Sequence, residues 1–162
     1  MAYDVREIAN LVLEIADGDQ IPVTNLDINK IVYFLHGWYL AKTGNPLVSA
    51  KIEAWRFGPV FRELYSQFAD VGSQPISFRA TRRNTTTLEK EVCYPAITTE
   101  EFEFLEPLVH QYIRIKTSIL VDLSHVPGGP WDKVFNHDTD INPGMEITND
   151  AIKSFFSQQA RH

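Results

Sequence analysis

The stretch Leu26-Asp27-Ile28-Asn29-Lys30-Ile31-Val32-Tyr33-Phe34-Leu35-His36-Gly37-Trp38-Tyr39 decides the fold. Ile28, Ile31, Val32, Leu35, Trp38 and Tyr39 keep one helical face over three turns, and Phe34 and Leu40 add apolar groups on other faces. A surface helix carries a single apolar stripe, so a helix apolar on several faces is a buried one. The stretch therefore predicts a central helix, capped by Thr24 or Asn25 and ended by Gly44-Asn45-Pro46. Its basic residues are Lys30 and His36 alone, which argues against a DNA recognition helix, since groove readers expose several Arg, Lys or Asn.

Working outward, Asp4 and Glu7 form a variant capping box before Ile8, Leu11, Val12 and Ile15, and Gly18 stops that helix. On the other side, Lys51 to Phe57 alternates polar and apolar residues and predicts a short strand. Alternation puts Trp55 and Phe57 on one, buried face and Arg56 on the other. Pro59 then takes the favoured first position of a third helix carrying Phe61, Leu64, Tyr65 and Phe68, closed by Gly72. Pro75 to Pro95 reads as a β-hairpin or a mobile, solvated loop with Arg79, Arg82 and Arg83 at its tip.

Thr98 and Glu101 cap a long helix bearing Leu105, Leu108, Val109, Tyr112 and Ile113, which Pro107 should kink or divide. Ser118 caps a short helix to Leu123. Pro127-Gly128-Gly129-Pro130 interrupts the chain, a short helix from Trp131 to Phe135 opens on Pro130, and Thr148 caps a last helix with Ile152, Phe155 and Phe156. With no repeat, linker or change in composition, residues 1–162 read as a single compact domain. It is mainly α, with five to seven helices and a short β-strand or β-hairpin insertion.

Composition narrows the classes. The 162 residues are 44% apolar, with 10 Phe, 6 Tyr and 3 Trp, which excludes a disordered chain. Fifteen Lys+Arg against 21 Asp+Glu give a net charge of −6, so a general phosphate-neutralising surface is absent and nucleic acid is an unfavoured partner. No apolar run approaches the roughly 20 residues that span a bilayer. Asp4, Arg6 and Glu7 sit where a signal peptide would be basic and then apolar, and the single cysteine suits a reducing compartment. A soluble cytoplasmic protein without membrane contact is expected.

Catalytic and metal motifs fail one by one. Cys93 lies in a predicted strand and reads as a buried structural thiol. Asp138, Asp140 and Asn142, with His137 beside them, are spaced like the first ligands of a calcium loop. Pro143 stands where that loop needs Gly, and Asn149 where it needs a bidentate Glu, so an Asx-rich turn is expected instead. His125 has no identifiable orienting partner and reads as a residue fixing the following turn by hydrogen bonding. No phosphate loop, dinucleotide fingerprint, zinc-protease or nucleophile-elbow motif occurs. The expectation is no enzyme, no cofactor, no metal and no catalytic residue. Trp55-Arg56-Phe57 stands out instead, because aromatics and Arg are the favoured anchors of protein interfaces.

These motifs, taken together, resemble the Panacea domain, the SocA-like antitoxin family. The central stretch is similar to that family's leading pattern, Leu-x-Lys-Leu-x-Tyr-Phe-x-x-Gly-Trp-x-Leu. The resemblance continues in Gly44-Asn45-Pro46-Leu47, in Glu53-Ala54-Trp55-Arg56-Phe57-Gly58-Pro59-Val60, in Leu123-Ser124-His125, in Pro130-Trp131 and in the helix from Ile147 to Phe156. It covers nearly the whole chain. Asn29-Lys30-Ile31 departs from the two basic residues or Gln-Lys of many relatives, and Gly128-Gly129 from an acidic or Ser residue.

The resemblance implies an antitoxin of a bacterial or phage two-gene system, prophage included. Such an antitoxin neutralises a cognate toxin, encoded by a neighbouring gene, by direct binding. It also admits an adaptor role in which the toxin is handed to a protease. The reading assigns partner binding to Trp55, Arg56, Phe57, Tyr65 and Trp131. Lys30, Gly37, Trp38, Gly58, Pro59, His125 and Pro130 are assigned a structural role. The alternative, a DNA-binding regulator of its own operon, depends on Arg79, Arg82 and Arg83.

Overall fold

The computed structural model describes residues 2–135 and 145–160. Seven α-helices appear among them: α1 (Val5–Gly18), α2 (Asn25–Thr43), α3 (Arg62–Gln67), α4 (Thr99–Tyr112), α5 (Thr117–Ser124), α6 (Pro130–Val134) and α7 (Asn149–Ala160). Two antiparallel hairpins complete the fold, β1 (Glu53–Trp55) with β2 (Gly58–Val60), and β3 (Thr81–Arg83) with β4 (Lys90–Val92). The mainly α single-domain expectation holds. The candidate calcium-loop residues Asp138, Asp140, Asn142 and Pro143, and His137, lie outside the described residues.

Helix α2 is the axis, and α1, α3, α4, α5 and α7 all pack against it. Ile28, Ile31, Val32, Tyr33, Phe34 and Leu35 are buried in succession, as a helix without a wet face requires. Gly37 lets α7 approach, because a Cβ there would stand 2.3 Å from the Phe156 ring. Phe156 also meets Trp38 edge to face at 5.0 Å, and Trp38 Nε1 donates to the Tyr112 hydroxyl at 2.7 Å. Gly37 and Trp38 thus form the seat of α7 on α2.

Helix α1 opens on the expected capping box of Asp4 and Glu7. Its buried stripe runs through Val5, Ile8, Ala9, Val12, Leu13 and Ala16, so Leu11 and Ile15 fall on the half-buried margin. The stripe is turned from the expected face because Ala9 and Ala16, too small to mark periodicity, complete it.

Other expectations need correction. Pro107 neither divides nor ends α4, which runs unbroken past it. Both Pro107 and Glu103, whose carbonyl the proline leaves without a helical donor, lie on the exposed side where water can serve that carbonyl. Helix α5 starts at Thr117 with Lys116, not Ser118, at its N-cap. The Thr117 hydroxyl is committed elsewhere, donating to Asp27 Oδ1. Pro59 is not a helix opener but the middle residue of β2, and α3 begins at Arg62 after Phe61. Pro59 sits opposite Ala54, whose N–H points away from β2 to the Met145 carbonyl at 2.9 Å. At that position the ladder asks for no donor from the opposing residue, so a proline fits.

Candidate functional site

The β1–β2 hairpin closes through a two-residue loop, Arg56-Phe57, with Trp55 opposite Gly58. Strand alternation ends at Trp55, so the buried Trp55/Phe57 pair expected from the sequence does not form. Phe57 is 58% exposed at the tip, with the Arg56 guanidinium 5.6 Å from its ring centre. Trp55 is half-buried and meets the exposed Tyr65 ring edge to face at 5.0 Å. Phe57 and Tyr65 line a concavity of about 410 Å³ with Thr24, Asn25, Leu26 and Thr117.

Four of the five residues assigned to partner binding therefore meet at one surface. Trp131 supports it from below. It is 5% exposed, and its Nε1 donates to the Trp55 carbonyl at 2.6 Å. Its ring is stacked between His125 at 3.8 Å and Phe135 at 4.6 Å. Pro130 opens the short helix that carries it. His125 stacks on Trp131, and its backbone N–H, bonded to the Asp122 carbonyl, closes α5.

Beneath the tip lies Lys30, wholly buried, its ammonium without a hydrogen-bond partner among the described residues. Burial pushes its pKa down to about 8, and Asp27 opposes the shift. Asp27 itself is engaged by the Thr24 amide and the Thr117 hydroxyl. Gly58 closes over Lys30 at φ +123°. A Cβ there would stand 2.8 Å from Ser124 Oγ and 3.2 Å from Lys30 Nζ. Both features restrict the position to glycine.

Three buried polar residues that the sequence reading left unassigned fix the surroundings. Asn29 Oδ1 accepts the Phe61 N–H at 2.9 Å, tying α2 to the end of the hairpin. Asn10 clamps the second hairpin, donating to the Ala80 and Cys93 carbonyls and accepting the Ala80 N–H. His36 accepts the Val48 N–H at Nδ1, which leaves Nε2 to donate to Asn149 Oδ1 at 2.8 Å. Burial lowers the His36 pKa and keeps the ring neutral. The one sequence signal for all three is a polar residue inside an otherwise apolar helical stretch.

The second hairpin is a different surface. Its arginines do not crown a tip: Arg79 precedes β3, Arg82 and Arg83 lie within it, and the turn is Asn84 to Glu89. Arg79 pairs with Glu14 and Asp17 of α1, and Arg82 lies among Asp4, Glu7 and Glu91. Lys30 and His36 of α2 are wholly buried, so neither reaches a phosphate. Cys93 is buried, and burial raises its pKa away from the thiolate form.

Most of the residues that meet at the β1–β2 hairpin lie in the stretches that carry the family resemblance, and comparison with known proteins bears on the family itself. The family model described as Antitoxin SocA-like, Panacea domain, matches residues 28–132, from the first turn of α2 into α6. The chain belongs to this family. It is 36% identical over 159 residues to Antitoxin SocA of Caulobacter vibrioides (strain NA1000 / CB15N), covering 98% of this chain and 85% of that protein. No solved structure matches the chain. In this Panacea domain the family pattern maps onto packing: Lys30 under Gly58, Gly37 under Phe156, and Trp131 under Trp55.

Proposed function

We propose that this protein is an antitoxin that neutralises a cognate toxin, the product of a neighbouring gene, by binding it directly in the cytoplasm. The family assignment and the similarity to Antitoxin SocA support the role. The observation that carries the surface is the hairpin tip. Phe57 and Tyr65 are large exposed aromatics flanking one concavity, with Arg56 beside them. Exposed aromatic–Arg clusters over a rigid base are where interface energy concentrates. Trp55 and Trp131 hold this cluster from behind. A net charge of −6 adds encounter rate toward a basic toxin face.

The test is rescue. Growth of cells expressing the toxin alone is compared with growth when this chain, or its Arg56→Ala or Phe57→Ala variant, is supplied. Loss of rescue with both variants folded and present at normal level supports the reading. Full rescue by both places the interface elsewhere. Inhibition of the purified toxin without any protease distinguishes blocking from delivery for degradation. The DNA-binding alternative has less support, because Arg79 and Arg82 are already engaged by carboxylates.

A further inference from the structure

A charged side chain removed from water without a partner is among the costliest arrangements a fold can hold. Lys30 is in that position, at 0% exposure with its ammonium unbonded among the described residues. The roof is Gly58, at the end of the two-residue loop of a hairpin with three residues per strand. Isolated hairpins of this size are marginal in water. This one is anchored along its far edges, where Ala54 bonds to Met145 and Phe61 to Asn29, while the tip is latched by Trp131 to the Trp55 carbonyl. Lifting the tip would hydrate Lys30 without disturbing either anchor.

We infer that the Trp55–Gly58 tip is a lid over Lys30, and that in the complex the lid lifts so that the Lys30 ammonium pairs with a carboxylate side chain of the partner. This rests on the reading that the tip meets the partner. A carboxylate is favoured over a phosphate because the site offers one ammonium. Asp27, a turn earlier, repels a dianion, and the tip that covers Lys30 carries the aromatic Trp55 and Phe57, with Tyr65 against Trp55. The hairpin carries the ionisable groups Glu53 and Arg56, and the end of α5 carries Asp122, beside His125. Among charged residues it is Asp27 whose field acts on Lys30. The lid couples recognition to the release of a buried charge.

The experiment follows hydrogen exchange at the amides of Phe57, Gly58 and Val60 in the free protein, corrected for intrinsic rate. Lys30→Met removes the charge and keeps the length, so the lid should close and exchange slow by about tenfold. In the wild type, protection should rise between about pH 8 and pH 9.5, because the open form binds the Lys30 proton more tightly than the closed form. Lys30→Met should show no such rise. Trp131→Phe, which loses the latch donor and keeps the stacking, should speed exchange. Sodium acetate, against sodium chloride at equal ionic strength, should speed tip exchange in the wild type and not in Lys30→Met. The lid is overturned if Lys30→Met leaves tip exchange and its pH profile unchanged. If the lid behaves as stated but acetate has no effect and Lys30→Met neutralises the toxin normally, the carboxylate site is overturned. Failure of Arg56→Ala and Phe57→Ala to weaken neutralisation is a separate result, and sinks the interface reading.

Discussion

The two hairpins have the same strand length and opposite economies. In β1–β2 the loop is two residues, the strands are largely buried, and the polar groups of α2 lie beneath them. In β3–β4 the loop runs from Asn84 to Glu89, β4 is exposed, and Arg79 and Arg82 lean onto carboxylates at and beside α1. Two of the three arginines of this segment are thus held by carboxylates, and Arg83 donates to the Leu88 carbonyl. The segment with a single arginine places its guanidinium 5.6 Å from the centre of the exposed Phe57 ring. Counting charges along a chain locates basic residues, whereas the surface they belong to is decided by the fold.

The contrast can be broken most forcefully at Trp131. Trp131→Ala removes a buried ring that supports β1–β2 and should cost about 3–5 kcal/mol, read as a fall in the urea midpoint. A cost under about 1 kcal/mol would mean that the first hairpin needs no base. Next is Gly58→Ala. A left-handed backbone costs on the order of 1–3 kcal/mol for a residue with a Cβ, and the contact with Ser124 adds to it. Melting should fall clearly, whereas Gly72→Ala, at φ +58° with open space around it, should cost less.

Arg56→Ala sharpens the comparison without touching the fold. Stability should stay within about 0.5 kcal/mol, while toxin affinity falls about thirtyfold, equivalent to roughly 2 kcal/mol. Arg82→Ala should leave affinity unchanged and lower stability by less than about 1 kcal/mol, an effect that fades in salt. Equal binding losses from both would erase the distinction between the hairpins. The smallest effect is at Leu88, which holds φ +63° in the second turn with its side chain exposed. Leu88→Gly should stabilise by up to about 0.5 kcal/mol, because relief of the strained backbone is offset by the entropy glycine adds to the unfolded chain.

What the sequence disclosed was the part written in period and caps. The burial of α2, the boxes at Asp4 and Thr98, and the Pro130 start of α6 follow from local rules, whereas the cap of α2 stayed open between Thr24 and Asn25 until the structure showed the Thr24–Asp27 box. The misreadings share another cause. Pro59 is a helix opener by local preference, but it became a strand residue because Ala54 turns its N–H toward Met145, ninety residues away in the chain. Phe57 looked buried because alternation was carried through a turn whose place is set by pairing with Gly58 and not by composition. At the candidate site, Trp55-Arg56-Phe57 was legible as a cluster of aromatics and Arg. That Trp131 lies behind the tip, and Lys30 beneath it, depends on long-range packing that no local pattern records.

The close seat of Phe156 on Gly37 has a consequence in time. Helix α2 leaves the ribosome long before α7, and at about 5–20 residues per second the interval is several seconds or more. Throughout it, the aromatic face of α2 that α7 will cover stands open to water and to other chains. The core around Gly37 closes only once α7 has been made, so a chain interrupted between the two helices carries an open aromatic face. A nascent pool would be the first fraction lost when translation stalls.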